Sequence, residues 1–408
     1  MNGSRRRWRG GLLGAFWCAT FLSSSSFSQS PPWDLAKLSQ PPAIFPTETT
    51  EPGVKAFFYE SVPWKGKPTR VFAYYGAPPH IEGTKLPAIV LVHGGQGSAY
   101  AEWVRLWNKR GYVAIAMDHF GNMPTVAAAE TPYRIQRPRN PNGGPSGDGG
   151  FSQIDEPTED QWTYQGVAAI ILANSLLRSL PEVDPERIGL TGISWGGFLA
   201  SIVAGVDPRF RFVVPVYGCG FIGDNPSWPP AFHNLNPDQA KKWSALWDPS
   251  HFLPQAQMPM LWINSTNDIA FSLSAWQKST DLPPGPQTRA LRVRMPHGQS
   301  EGATPLEIAA FADGVLGTGK PLAKVGNVVN SGRNTVSVSF QSATPITKAE
   351  FNYTKDTGAW QDRRWETIPA SLSGNSAKAK LPEGTQAYFF NLTDNRDLTV
   401  SSRYYSSE

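Results

Sequence analysis

The sequence predicts an α/β fold, with a doubly wound, mostly parallel sheet followed by a small C-terminal β-sandwich. Three observations carry this expectation. Short, almost purely apolar runs alternate with helical runs over about 240 residues, which argues for a parallel sheet wrapped by helices. Glycines and polar residues close several of those apolar runs, as at "VHGG", "GISWGG" and "NSTND". After "GTGKPLAKVG" the pattern changes to short runs with two-residue alternation, which places a boundary near residue 320.

The chain has 408 residues, 40% of them apolar and 17% charged, within the range of globular proteins. It opens with Arg5, Arg6, Arg7 and Arg9, an apolar run from Gly11 to Leu22, and a small-residue stretch from Ser23 to Ser30. That is the layout of a secretory signal. Its apolar run is shorter than the ~20 residues of a membrane span. Residues 1–28 are therefore expected to be removed, leaving a secreted or periplasmic protein. Without those four arginines, 33 basic residues face 33 acidic ones. A balance near zero gives no attraction for nucleic acid or anionic membranes. Cys18 falls in the signal and Cys219 follows an apolar run, so no disulfide forms within the mature chain. No Cys/His group has zinc spacing, and no metal is expected.

Each element follows from its own stretch. Residues 29–52 are rich in Pro, Ser and Thr and read as an extended lead-in. "VKAFFYESVPW" and "TRVFAYYGAPP", joined by "KGKP", suggest a hairpin. "LPAIVLVHGG" and "YVAIAMDHFG" read as strands buried on both faces, with "YAEWVRLWNKRG" a helix between them. Residues 121–160, rich in Pro, Gly and Asn, read as an excursion loop. "QWTYQGVAAIILANSLLRSL" is a strong helix, "ERIGLTGIS" a strand, "WGGFLASIVAGV" a helix and "RFRFVVPVYG" a strand. A second, Pro/Trp-rich insertion covers residues 220–257. Then come strand "PMLWINSTND", helix "SLSAWQKSTDL", strand "TRALRVRMPHG" and helix "TPLEIAAFADGVLG". Residues 29–320 thus form the expected α/β domain and 321–408 the β-sandwich.

Gly192-Ile193-Ser194-Trp195-Gly196 lies where a buried strand gives way to a helix. In that setting the sharp turn lifts a serine hydroxyl above the sheet, and small flanking residues avoid collisions. A serine needs a base, and His297 stands just past the last strand of the sheet. Asp268 ends the preceding strand and is placed to orient that histidine, with Asn267 as a near neighbour. The helix N-terminus offers the Trp195 N–H to an oxyanion, and the turn after His93 offers Gly95 or Gln96. Asp118 and His119 border the same mouth. Asp155, Glu156, Glu159 and Asp160 read as a solvated acidic loop.

"HGG", "GISWGG", "NSTND" and "MPHG", in this order over residues 55–318, resemble the α/β-hydrolase superfamily. Within it the chain is similar to the dienelactone-hydrolase-like and acetyl xylan esterase-like group, and more distantly to prolyl-oligopeptidase-type peptidases. The resemblance implies an α/β-hydrolase sheet and a cofactor-free serine hydrolase working through an acyl-enzyme. It implies Ser194 as nucleophile, with Asp268 and His297 as its partners. Dienelactone hydrolases proper use a cysteine where Ser194 stands, which argues against lactone chemistry, and the "HGG" loop lacks the tyrosine of some relatives. The expected activity is deacetylation of plant-type polysaccharide, with Trp228, Trp243 and Trp247 walling the mouth as faces for sugar rings. Alternatives are pectin methyl ester cleavage, peptidase activity, or carbohydrate binding by the C-terminal domain through Trp360 and Trp365.

Overall fold

The computed structural model describes residues 31–125, 137–147, 149–225, 230–332 and 334–406, together with Met1 and Gly3. The expected signal segment 1–28, those two residues aside, and Trp228 lie outside the described residues. Pro32–Glu408 form one compact unit.

The α/β part is built on nine strands: β1 (Ile44–Pro46), β2 (Lys55–Trp64), β3 (Lys67–Gly76), β4 (Leu86–Val92), β5 (Val113–Met117), β6 (Val183–Ile193), β7 (Phe212–Val216), β8 (Met260–Ser265) and β9 (Gln287–Arg292). Their order is β1-β2-β3-β5-β4-β6-β7-β8-β9. β1, β2 and β3 pair antiparallel, as do β3 and β5, while the rest of the sheet is parallel. The β2–β3 hairpin turns through Lys65 at φ 50° and Gly66 at φ 72°. Such a two-residue turn with both angles positive matches the twist of the strands it joins.

β5, β7 and β8 are buried at every residue. Helices cover both faces, which explains why these runs carry no polar alternation. The helix Trp162–Ser179 packs on β6 and β2 and against the helix Trp195–Val206. It stops because Pro181 forces Leu180 into an extended conformation, ψ 134°. The strand order reverses around β4, which has β5 on one side and β6 on the other. In open sheets of this kind the crevice at such a reversal, beyond the carboxyl ends of the strands, is where ligands bind.

The C-terminal part is antiparallel throughout: β10 (Lys324–Asn330), β11 (Thr335–Gln341), β12 (Ile346–Thr354), β13 (Glu366–Pro369), β14 (Ser371–Ser373), β15 (Ser376–Lys380), β16 (Ala387–Asp394), β17 (Thr399–Ser401) and β18 (Tyr405–Ser406). One sheet runs β10-β11-β15-β14 and the other β13-β12-β16-β17, with β18 also on β16. The second of these sheets meets the α/β part through polar contacts. The Leu291 N–H donates to Ser401 Oγ at 2.8 Å, and Asn391 Nδ2 donates to the Leu291 carbonyl at 3.3 Å. Glu307, fully buried, accepts from the Thr399 N–H at 2.7 Å and pairs with Arg292.

Removing that carboxylate strands a buried N–H and a guanidinium. Glu307→Ala should therefore cost about 2 to 4 kcal/mol, read as a lower urea midpoint for the full chain. An unchanged midpoint would contradict the part assigned to Glu307.

Candidate active site

Ser194 sits between β6 and the helix Trp195–Val206 at φ 56°, ψ −118°. A non-glycine residue pays roughly 1 to 3 kcal/mol for such a conformation and needs its surroundings to enforce it. Here the Ser194 N–H donates to the Val216 carbonyl at 2.8 Å, and the Ser194 carbonyl accepts from the Phe198 N–H at 2.9 Å. The flanking glycines are obligatory. A Cβ on Gly192 would come within 2.1 Å of the Gly196 carbonyl oxygen, and one on Gly196 within 2.2 Å of the Val92 oxygen.

Three loop ends converge on this hydroxyl. Ser194 Oγ lies 2.8 Å from His297 Nε2, and His297 Nδ1 lies 2.7 Å from Asp268 Oδ2. A ring with its proton on Nδ1 donates to the carboxylate and accepts from the serine, as a general base requires. The other carboxylate oxygen, Asp268 Oδ1, accepts from the Ala270 and Phe271 N–H groups at 2.9 and 2.7 Å. Asp268 is thus buried and held from both sides. It does not cap the following helix, since Ser272 does that. Asn267, its neighbour, points away toward Arg363 in the C-terminal part of the chain.

Two residues that sequence reasoning missed complete the surround. The Tyr217 ring lies 4.6 Å from the His297 ring, and its hydroxyl donates to the Pro296 carbonyl at 3.0 Å. Tyr217 follows β7 directly, so its strand-end position was the available signal. Gln299, two residues after His297, accepts from the Gly94 N–H at 3.1 Å. Gly94 in turn lies so close that a Cβ added to it would be 3.4 Å from Ser194 Cβ. The turn after His93 therefore reaches Ser194, with Gly95 and Gln96 following in it and Trp195 at the start of the facing helix.

His93, Asp118 and His119 form a buried support beneath that turn. The His93 and His119 rings stack at 4.1 Å. His93 Nδ1 donates to the Gly94 carbonyl at 2.6 Å, and His119 Nε2 to the His93 carbonyl at 2.7 Å. Asp118 accepts from the Phe120 and Asn122 N–H groups. Burial pushes the Asp118 carboxyl up to about 6 and the His93 imidazole down to about 3. With His93 neutral and donating through Nδ1, its Nε2 accepts from the His119 N–H, and Asp118 Oδ1 lies 3.4 Å from that nitrogen.

Several expected substrate contacts are corrected. Asp118 and His119 are 2% and 5% exposed and shape the loop from below instead of meeting a substrate. Trp243 and Trp247 are fully buried. Their indole N–H groups donate to the Gly149 carbonyl and Gln161 Oε1, so they anchor the insertions to the core. Trp365 is buried and Trp360 half-buried, stacked on each other at 6.4 Å. Cys219 is buried, which pushes its thiol up and rules it out as a rival nucleophile. Of the acidic loop, Glu156 pairs with Lys65 at 3.1 Å and Asp160 accepts from the Lys65 N–H. Among the described residues no helix is long and apolar enough to cross a membrane.

Residues 27–224 match the acetyl xylan esterase (AXE1) family. The match includes the "HGG" and "GISWGG" segments and ends before Asp268 and His297. A search of curated proteins finds no match. Among solved structures, an acetyl xylan esterase from Paenibacillus sp. R4 is 21% identical with a TM-score of 0.54, over 69% of this chain and 92% of that one. Acetyl xylan esterase 1 from Thermoanaerobacterium sp. JW/SL YS485 is 16% identical with a TM-score of 0.49, over 66% and 89%. A puromycin-hydrolyzing peptidase from Mycobacterium tuberculosis is 15% identical with a TM-score of 0.50, over 67% and 41%.

The buried support has a pH signature. Asp118 binds its proton more tightly in the fold than unfolded, so its contribution falls as pH rises from about 4 to about 6. His93 does the reverse. Its unfolded ring takes a proton near pH 6.5 that the buried ring refuses until about 3, so stability falls as pH drops through that window. Between pH 4 and 6 the two slopes offset each other. Asp118→Asn removes the first and exposes the second. Its stability relative to the parent should fall by roughly 1 to 3 kcal/mol between pH 7 and pH 4, measured by urea midpoints. Parallel curves for the two proteins would refute the account.

Proposed function

We propose that this α/β hydrolase, a serine carboxylic ester hydrolase similar to acetyl xylan esterases, removes acetyl groups from plant-type polysaccharide through an acyl-enzyme. One observation carries the reading: the unbroken Asp268–His297–Ser194 hydrogen-bonded chain, at 2.7 and 2.8 Å, at the mouth of a sheet whose nucleophile segment matches the AXE1 family. The sugar preference rests on that match, because the tryptophans expected to present sugar-binding faces are buried or lie outside the described residues.

In this mechanism Ser194 Oγ attacks the ester carbonyl while His297 Nε2 takes its proton. Asp268 holds the ring in the required tautomer and stabilises the imidazolium. The carbonyl oxygen, now anionic, is met by the Trp195 N–H and by Gly95 or Gln96. Collapse expels the sugar alkoxide, which takes the proton back from His297. Water then repeats the sequence on the acetyl-serine, releasing acetate. We place the enzyme outside the cytoplasm, secreted or periplasmic, on the strength of the basic-then-apolar amino-terminal layout.

The test is a panel of acetylated xylan, methylated pectin, p-nitrophenyl acetate and a peptide anilide. Acetate release from xylan should exceed turnover of the other polymer and of the anilide. Ser194→Ala should lower kcat by at least about 10⁴-fold. An anilide cleaved faster than any acetyl ester would replace the esterase reading with a peptidase one, and an active Ser194→Ala would end both.

A further inference from the structure

The acid of the proposed triad, Asp268, follows Asn267 in the chain. Asp268 faces His297, and the preceding side chain faces the opposite way, into the C-terminal domain. Asn267 Nδ2 donates to the Arg363 carbonyl at 2.7 Å, with the Gln361 and Trp360 carbonyls at 3.1 and 3.2 Å. Three acceptors converge on a group that carries two hydrogens. That convergence is built into a stiff turn. Trp360–Asp362 is a single 3₁₀ turn, closed by Arg363. The Arg363 guanidinium lies 3.7 Å over the Trp360 ring and donates to the Gly358 carbonyl at 2.9 and 2.7 Å. Arg363 is 2% exposed, and the Trp360 ring packs edge-on to Tyr404 at 5.5 Å.

The other end of the same carboxamide reaches the base loop. Asn267 Oδ1 accepts from Thr266 Oγ1 at 2.7 Å, and that hydroxyl accepts from the Arg294 N–H at 3.0 Å. Arg294 stands at φ 54°, where the chain leaves β9 on its way to His297 three residues later. Thr266 and Asn267 in relay therefore join the loop that carries Asp268, the loop that carries His297, and a turn almost one hundred residues further along the chain. An adhesive domain contact does not require its polar atoms to pass through residues flanking both partners of the nucleophile.

We propose that Asn267 is a positioning residue for the triad, and that the C-terminal β domain is through it part of the hydrolytic machinery. The proposal rests on the triad reading above. A carboxylate displaced by a fraction of an ångström orients the imidazole less well, and such misplacement costs rate more than binding. In the full-length chain, Asn267→Leu and Thr266→Val should lower kcat on p-nitrophenyl acetate roughly 10- to 100-fold, with KM within about twofold. The rate at which a fluorophosphonate probe labels Ser194 should fall by a similar factor, because it reports activation of the hydroxyl alone. Thr266→Ser, which keeps the hydroxyl, should restore both. A folded Asn267→Leu with parental kcat and labelling rate would overturn the proposal. Should that variant not fold, equal kcat for Thr266→Val and Thr266→Ser would overturn it instead. An active Ser194→Ala would condemn the triad reading separately.

Discussion

A serine held at φ 56°, ψ −118° is the constraint from which most of this architecture follows. The turn brings the start of one helix and the end of one strand within van der Waals distance of the neighbouring strand end. That proximity excludes side chains at Gly192 and Gly196. It also demands a sheet rigid enough to supply the opposing carbonyls of Val92 and Val216. Parallel strands buried on both faces meet the demand, since their ends share one edge and their cores pack without gaps.

A hydroxyl raised in this way is useful only if the loops around it are equally fixed, and the molecule spends buried polar groups to fix them. The turn after His93 is held from below by the stacked His93–His119 pair and from the side by Gln299. Asp268 is held by two N–H groups of its own loop, His297 is packed by Tyr217, and their two loops are linked through the Thr266 hydroxyl, which also donates to Asn267. Such networks are costly when half satisfied and stiff when complete. The C-terminal sheets, outside the α/β pattern altogether, are likewise joined to β9 and to the loop of Asp268 by hydrogen bonds.

The tryptophans show a different economy. Trp195, immediately after the nucleophile, packs edge-on against Trp162 at 5.5 Å and Phe198 at 5.1 Å. Trp243 stacks on Phe198 and contacts Phe151 and Phe232. The two insertions are thereby fastened over this helix by an aromatic cluster, in which the buried Trp162 and Trp243 indoles donate to the His119 and Gly149 carbonyls.

Alternation of apolar strands with helices, the strand–turn–helix context of Ser194, and the order of Ser194, Asp268 and His297 were all legible in the chain itself. They are local: a run of apolar residues, a glycine pair, a residue at a strand end. Composition could not say which aromatic residues face solvent, because Trp243 in a Pro-rich insertion looks the same whether it lines a cleft or closes a core. Nor could it tell that Asp118 and His119 lie beneath the loop instead of in the mouth. The partnership of Asn267 with residues 360–363, and of Gln299 with Gly94, links segments about one hundred and about two hundred positions apart. Sequence periodicity carries no information at that range. Those contacts exist only once the sheet order has brought the strand ends to one edge and the C-terminal sheets have packed beside them, so tertiary structure alone decided them.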